Sequence, residues 1–132
     1  MAIQLSVAAR NARLDTFEST VGTSAKLQIR SGAQPANCAA AASGTLLCEL
    51  ALPSDWMAAA SGGSKAKSGT WSGTGAAAGT AGHFRVVDNA GTTCHMQGSV
   101  ASSAADMTLD NTSIAVGQTV TVNTFTVSDG NA

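Results

Sequence analysis

Residues 72–82 read SGTGAAAGTAG and place Gly73, Gly75 and Gly79 at intervals that let a backbone approach a pyrophosphate. A dinucleotide site needs an apolar strand before such glycines and a helix after them, so that the pyrophosphate meets a helix N-terminus. Here SKAKSGTW precedes the glycines and the strand-like HFRVVD follows, so no βαβ unit can be drawn. GGSKAKSGT is no phosphate loop either, because no lysine follows the glycine at the required place. The glycines read as a flexible surface segment.

Other chemistry fails to assemble. Cys38, Cys48 and Cys94 contain no C-x-x-C pair, which argues against zinc. An odd, sparse count is no secreted disulfide framework, so the three thiols are expected reduced and structural. Cys94 and His95 are adjacent; on a strand they point to opposite faces and form no thiolate pair. His83 and His95 on one sheet face, with no carboxylate or thiolate beside them, make a poor metal site. The six Asp and two Glu show no paired spacing for acid–base work. The expectation is a protein that is not an enzyme and needs no cofactor.

The elements that position these residues follow from periodicity. Ser6 can cap a helix from Val7 to Val21, stopped by Gly22. Val7, Leu14, Phe17 and Val21 share one face, interrupted by Arg10; Arg13 and Glu18 lie on the other. The period then changes to two. Ala25, Leu27 and Ile29 alternate with Lys26, Gln28 and Arg30, and Leu46, Cys48, Leu50 and Leu52 line a second strand ended by Pro53. SDWMAAA fits either one helical turn or a short strand, and SKAKSGTW a strand ending at Trp71.

Residues 83–100 read as a hairpin that pairs Val86 with Cys94 and Phe84 with Met96. Phe84 and Val86 then face the core. His83, Arg85, His95 and Gln97 take the opposite face, where substitution at Arg85 is expected to matter little. Two or three short strands follow around Gly117. In the last, Val120 and Val122 are out of phase with Phe125 and Val127, which marks a bulge or a bend between sheets. The fold class is mainly β: a β-sandwich, jelly-roll-like, with one N-terminal helix. Residues 1–24 form an arm and helix, and residues 25–132 form the sandwich.

Composition sets further limits. Charged residues are only 11%, roughly half the usual share. No apolar run reaches the roughly 18 residues of a membrane span, and MAIQLSVAARNARLD lacks the features of a signal peptide. A net charge of −1 gives no general attraction to nucleic acid. The expectation is a product of the cytoplasm without membrane or nucleic-acid partners. Every Lys and Arg lies within residues 1–85, whereas residues 86–132 carry Asp88, Asp106, Asp110 and Asp129. That asymmetry either steers packing between molecules or simply follows the last strands.

With these residues laid out, LSVAARNARLDTFESTVGTSAKLQIRSGAQPANCA, LPSDWMAAASGGSKAKSGTW and TAGHFRVVDNAGTTCHMQGSV resemble the capsid cement (decoration) proteins of tailed bacteriophages and prophages. The resemblance runs over nearly the whole chain and rests on the order of these phrases, none of which is a catalytic motif. It implies a structural virion protein, made in the host bacterial cytoplasm and placed on the outer capsid surface. Such a protein bridges neighbouring subunits of the major capsid protein without covalent links. Self-association as a homodimer is the expected oligomer, since two-fold pairing is the commonest closed symmetry. The candidate contact residues are Arg10, Arg13 and Phe17 on the helix, and Trp56, Met57 and Trp71 around the glycine-rich segment. The two tryptophans equally suit closing the end of the core. A tail or head-fibre component is an alternative reading. A carbohydrate-binding jelly roll that uses Trp56 and Trp71 as stacking platforms is another.

Overall fold

The structure, a computed structural model, describes residues 3–129. It opens with helix α1, Val7–Val21. The Ser6 hydroxyl accepts the Ala9 N–H at the N-terminus. At the other end Gly22, at φ +95°, closes the helix with its N–H on the Glu18 carbonyl. The helix stands where its capping signals put it. Leu14 and Val21 are buried, Phe17 packs against the core edge, and Val7 stays exposed at the open end.

Nine strands follow among the described residues: β1 Lys26–Ser31, β2 Leu46–Ala51, β3 Ser64–Ala66, β4 Ser72–Thr74, β5 Gly79–Val87, β6 Cys94–Ala101, β7 Met107–Leu109, β8 Ser113–Ile114 and β9 Thr119–Ser128. They join in the order β2-β1-β5-β6-β7-β9-β3, with β4 on β9 and β8 on β5. All pairs are antiparallel except β6 with β7, so the sheet is mixed. The sheet curls until its two ends meet, where Cys48 of β2 bridges Gly75 beyond β4. The fold is mainly β with one N-terminal helix, and the curled sheet has the form of a β-sandwich around one core.

The bridge at Gly75 explains the glycines of residues 72–82. A Cβ at Gly75 would strike the Ala115 carbonyl, and one at Gly79 would press on the Leu47 side chain. These positions are bare because strands and loops approach closely, not because the segment must be loose. The surface-loop reading is therefore corrected. Trp71 lies just before β4 rather than at the end of β3. SDWMAAA forms neither a helical turn nor a strand; Met57 makes a single bridge to Lys67.

The hairpin of β5 and β6 forms, but in a different register from the expected one. Val86 pairs with Met96 and Phe84 with Gly98, with a bulge between Val86 and Val87. A bulge adds a residue that a simple alternation count cannot see. The phase change in the last strand is real. Thr108 pairs with Thr124 and Leu109 with Val122, which leaves Asn123 as the extra residue. Val120, Val122 and Phe125 can then all be buried.

The helix docks on the sheet through charge as well as apolar contact. Lys65 in β3 is 2% exposed, beneath the helix. Its ammonium lies 2.7 Å from Asp15 Oδ1 and 3.4 Å from Glu18 Oε1, and donates to the Ala58 carbonyl at 2.9 Å. Glu18 also accepts the Met57 N–H at 2.8 Å. Glu18 thus turns inward, against its assignment to the outer face. Burial alone would pull the Lys65 pKa down, but the bonds and charges of Asp15 and Glu18 outweigh it and hold the value above 10.5. Lys65→Met should cost about 1–2 kcal/mol in urea unfolding, because two partly solvated carboxylates lose their shared charged hydrogen-bond donor. Lys67→Met, on a half-buried side chain that bonds only its own loop at Gly69, should cost less than about 1 kcal/mol.

Candidate interaction surface

The candidate contact residues divide between core and surface. Trp56 and Trp71 have no exposed surface, and Met57 is 1% exposed. Trp56 donates its indole N–H to the Gly22 carbonyl at 2.9 Å, and Trp71 donates to the carbonyls of Trp56 and Ser68, both at 3.1 Å. These three residues close the core and offer nothing to a partner. The assignment of Trp56, Met57 and Trp71 as contacts is corrected, and so is the use of the tryptophans as sugar-stacking platforms. An indole satisfied on its N–H and enclosed on its faces is held by packing.

The helix residues differ from one another. Arg10 reaches back to the body, where Nη1 donates to the Asp129 carbonyl at 3.3 Å. Arg13 is 63% exposed, with Nε 3.2 Å from Asp129 Oδ2. Phe17 is half-buried and meets Trp56 edge-on, 5.9 Å between ring centroids. Arg13 and Phe17, with Ala12, Thr16, Thr20 and His95, line an open groove of about 500 Å³ between the helix and the start of β6. His95 was not among the expected contacts. The bulge in the hairpin reverses the expected facing: Cys94 joins Arg85, and His95 turns toward the helix.

The charge asymmetry is used inside the molecule. Asp129 meets Arg13 and, through its carbonyl, Arg10. Asp88 accepts the Thr92 and Thr93 N–H groups at the hairpin turn. Asp106 accepts the Ser99 N–H and hydroxyl, and Asp110 accepts the Asn111 and Thr121 N–H groups. All four C-terminal aspartates thus serve local turns or the helix.

The second face of the hairpin is not the tolerant surface expected of it. His83 is 1% exposed and Arg85 3%. The chain at 32–42 lies over them. His83 Nδ1 donates to the Gly32 carbonyl at 2.9 Å, and Gln97 donates to the Pro35 carbonyl at 2.7 Å. Arg85 Nη2 donates to the Cys38 and Ala40 carbonyls at 2.8 and 3.1 Å, and Nε donates to Cys94 Sγ at 3.2 Å. His83 and His95 thus serve different regions. Among the described residues no three His, Cys, Asp or Glu side chains gather where they could hold a metal. No described helix is long and apolar enough to cross a membrane. The three cysteines are free thiols; Cys48 is buried, and Cys38 and Cys94 are half-buried.

The chain matches no family model, and neither the curated proteins nor the solved structures give a significant match.

Two measurements check this arrangement. Arg85→Ala should cost about 2 kcal/mol in chemical denaturation, because it strips two carbonyls of charge-assisted bonds. A cost under about 0.5 kcal/mol would mean that the loop is not held by this side chain. The second concerns acid. The Lys65 bond holds the Asp15 carboxyl below its ordinary 3.8, and the Thr92 and Thr93 N–H groups do the same for Asp88. Their contribution to stability is therefore complete well above pH 3.8 and is lost as pH falls through the lower, folded values. A pH series of unfolding midpoints should fall across that acid range. Asp15→Asn and Asp88→Asn should each flatten the fall.

Proposed function

We propose that this protein is a non-enzymatic structural virion protein that decorates a tailed-phage capsid and cements neighbouring subunits of its major capsid protein. The ordered resemblance over nearly the whole chain supports the reading. The observation that carries it into particular residues is the open groove of Ala12, Arg13, Thr16, Phe17, Thr20 and His95. It presents an apolar floor with one cation and one imidazole at its edges, on a helix anchored from below by Lys65. A rigid helix with an unfilled outer groove suits docking against a preformed surface, since little ordering is needed on binding.

The mechanism is mechanical. Each copy covers a seam between capsid subunits, and weak contacts repeat over the shell. Their avidity opposes the outward pressure of packaged DNA. A homodimer grips two subunits at once, which makes the second contact effectively intramolecular. The outer capsid surface is the proposed location.

Gradient-purified phage particles from the source cell test this reading. The chain should co-sediment with capsids, and particles stripped of it should release DNA at lower temperature or milder osmotic shock. Ala12→Glu, on the exposed helix face, should lower re-binding to stripped shells about tenfold or more while leaving the unfolding midpoint unchanged. Recovery of the chain on tails or head fibres, or stripped capsids as robust as complete ones, would overturn the proposal. Light scattering of the purified protein should give the mass of a dimer.

A further inference from the structure

Arg85 is a buried cation with no carboxylate within ion-pair distance among the described residues. Its guanidinium instead spans two cysteines that lie far apart in sequence. Nε donates to the Cys94 sulfur, and Nη2 donates to the backbone carbonyl of Cys38. Both cysteines, with Arg30, line one cavity of about 290 Å³ at the edge of the loop. The shared guanidinium and the shared cavity bring the two residues side by side. A buried charge without a counter-ion is costly, and a sulfur that becomes a thiolate beside it supplies one.

We propose that Cys38 and Cys94 form a thiol–disulfide exchange site, with Cys94 as the attacking sulfur, Cys38 as the resolving sulfur and a low-molecular-weight disulfide as the oxidant. Cys94 loses its proton, and its thiolate attacks one sulfur of the small disulfide. The sulfur–sulfur bond breaks, and the released small thiolate takes up a proton. The Cys38 sulfur then gives up its proton and attacks the Cys94 sulfur of the mixed disulfide, expelling the second small thiol. Two protein thiols are oxidised, and one small disulfide is reduced to two thiols. The order follows from the surroundings. Arg85 touches the Cys94 sulfur directly but reaches Cys38 only at its carbonyl. Burial first, and then the neighbouring Cys94, keeps the Cys38 thiol protonated above its ordinary range, against the pull of Arg85. The product staples the 32–42 loop to the hairpin. Cys48, in the core and away from this cavity, takes no part. The site does not depend on the capsid reading.

The test uses the full chain, reduced, freed of reductant, and incubated natively with oxidised glutathione. Remaining thiols are alkylated after unfolding, and the protein is cut with trypsin. Peptides 31–65 and 86–132 should appear joined, with fragment spectra placing the bond between Cys38 and Cys94 and alkylation on Cys48. Cys38→Ser should stop at a Cys94–glutathione mixed disulfide. Cys94→Ser should capture glutathione at Cys38 at least about tenfold more slowly than Cys38→Ser does at Cys94. A bond to Cys48, a link only between chains, both thiols still open to alkylation, or equal capture rates in the two variants would overturn the proposal.

Discussion

All five aromatic rings of the chain lie in one run of contacts, and the other elements are arranged around it. Phe17 on the helix meets Trp56, Trp56 meets Trp71, Trp71 meets Phe125 in β9, and Phe125 meets Phe84 in β5, with centroid separations of 5.5 to 6.0 Å. Apolar content otherwise comes largely from small side chains, so these rings supply much of the bulk that excludes water. Both indole N–H groups must find acceptors inside the core, and each does. Trp56 takes the carbonyl of Gly22, at the point where the helix ends. The left-handed turn at Gly22 therefore stops the helix and also turns a carbonyl toward the core. Helix and sheet share this core, so the helix is docked rather than appended.

Around that run, two buried cations fix elements that apolar contact alone would leave free to slide. Lys65 locates the helix by drawing Asp15 and Glu18 down to one point. Arg85 locates the 32–42 loop by holding two of its carbonyls. The two solutions differ in kind. Lys65 is compensated by carboxylates, one of them largely solvated, whereas Arg85 relies on carbonyl dipoles and a thiol. Neutral partners leave a residual positive potential, which Arg30 at the same cavity reinforces: its own pKa is lowered by burial and then by repulsion from Arg85.

Local signals in the sequence were sufficient wherever structure is local. Ser6 and Gly22 bound the helix correctly because capping involves only neighbours in the chain. The alternation of Ala25, Leu27 and Ile29 marked β1 because one of its faces is buried throughout. The phase change before Phe125 revealed the bulge in β9. Apart from the hairpin register, which a local bulge shifted, the failures at Arg85 and the tryptophans share a cause, which is burial by segments distant in sequence. A polar residue on the second face of a strand reads as exposed, and only the loop from residues 32–42 makes Arg85 internal. Trp56 and Trp71 sit among glycines and alanines that suggest a loop, yet the curl of the sheet brings Leu47, Cys48 and Ala115 against that segment. Cys38 and Cys94 carry no motif, so their meeting follows from the fold alone.

The surface left over is defined by subtraction. Once Arg10 and Asp129 are tied together, and once Asp88, Asp106 and Asp110 are spent on turns, the C-terminal acids give the molecule little free charge. Arg13 keeps most of its surface in water although it leans on Asp129, and it stands beside an apolar floor with His95 opposite. Arg13 is the exposed member of that pair, and Asp129, only 13% exposed, is the covered one. Arg13 therefore stays on Asp129 while most of its surface remains open to an acid on another surface. The helix backbone cannot move as readily, because Lys65 and Trp56 hold it from beneath. The result is a fixed platform that carries one largely exposed cation beside an apolar groove.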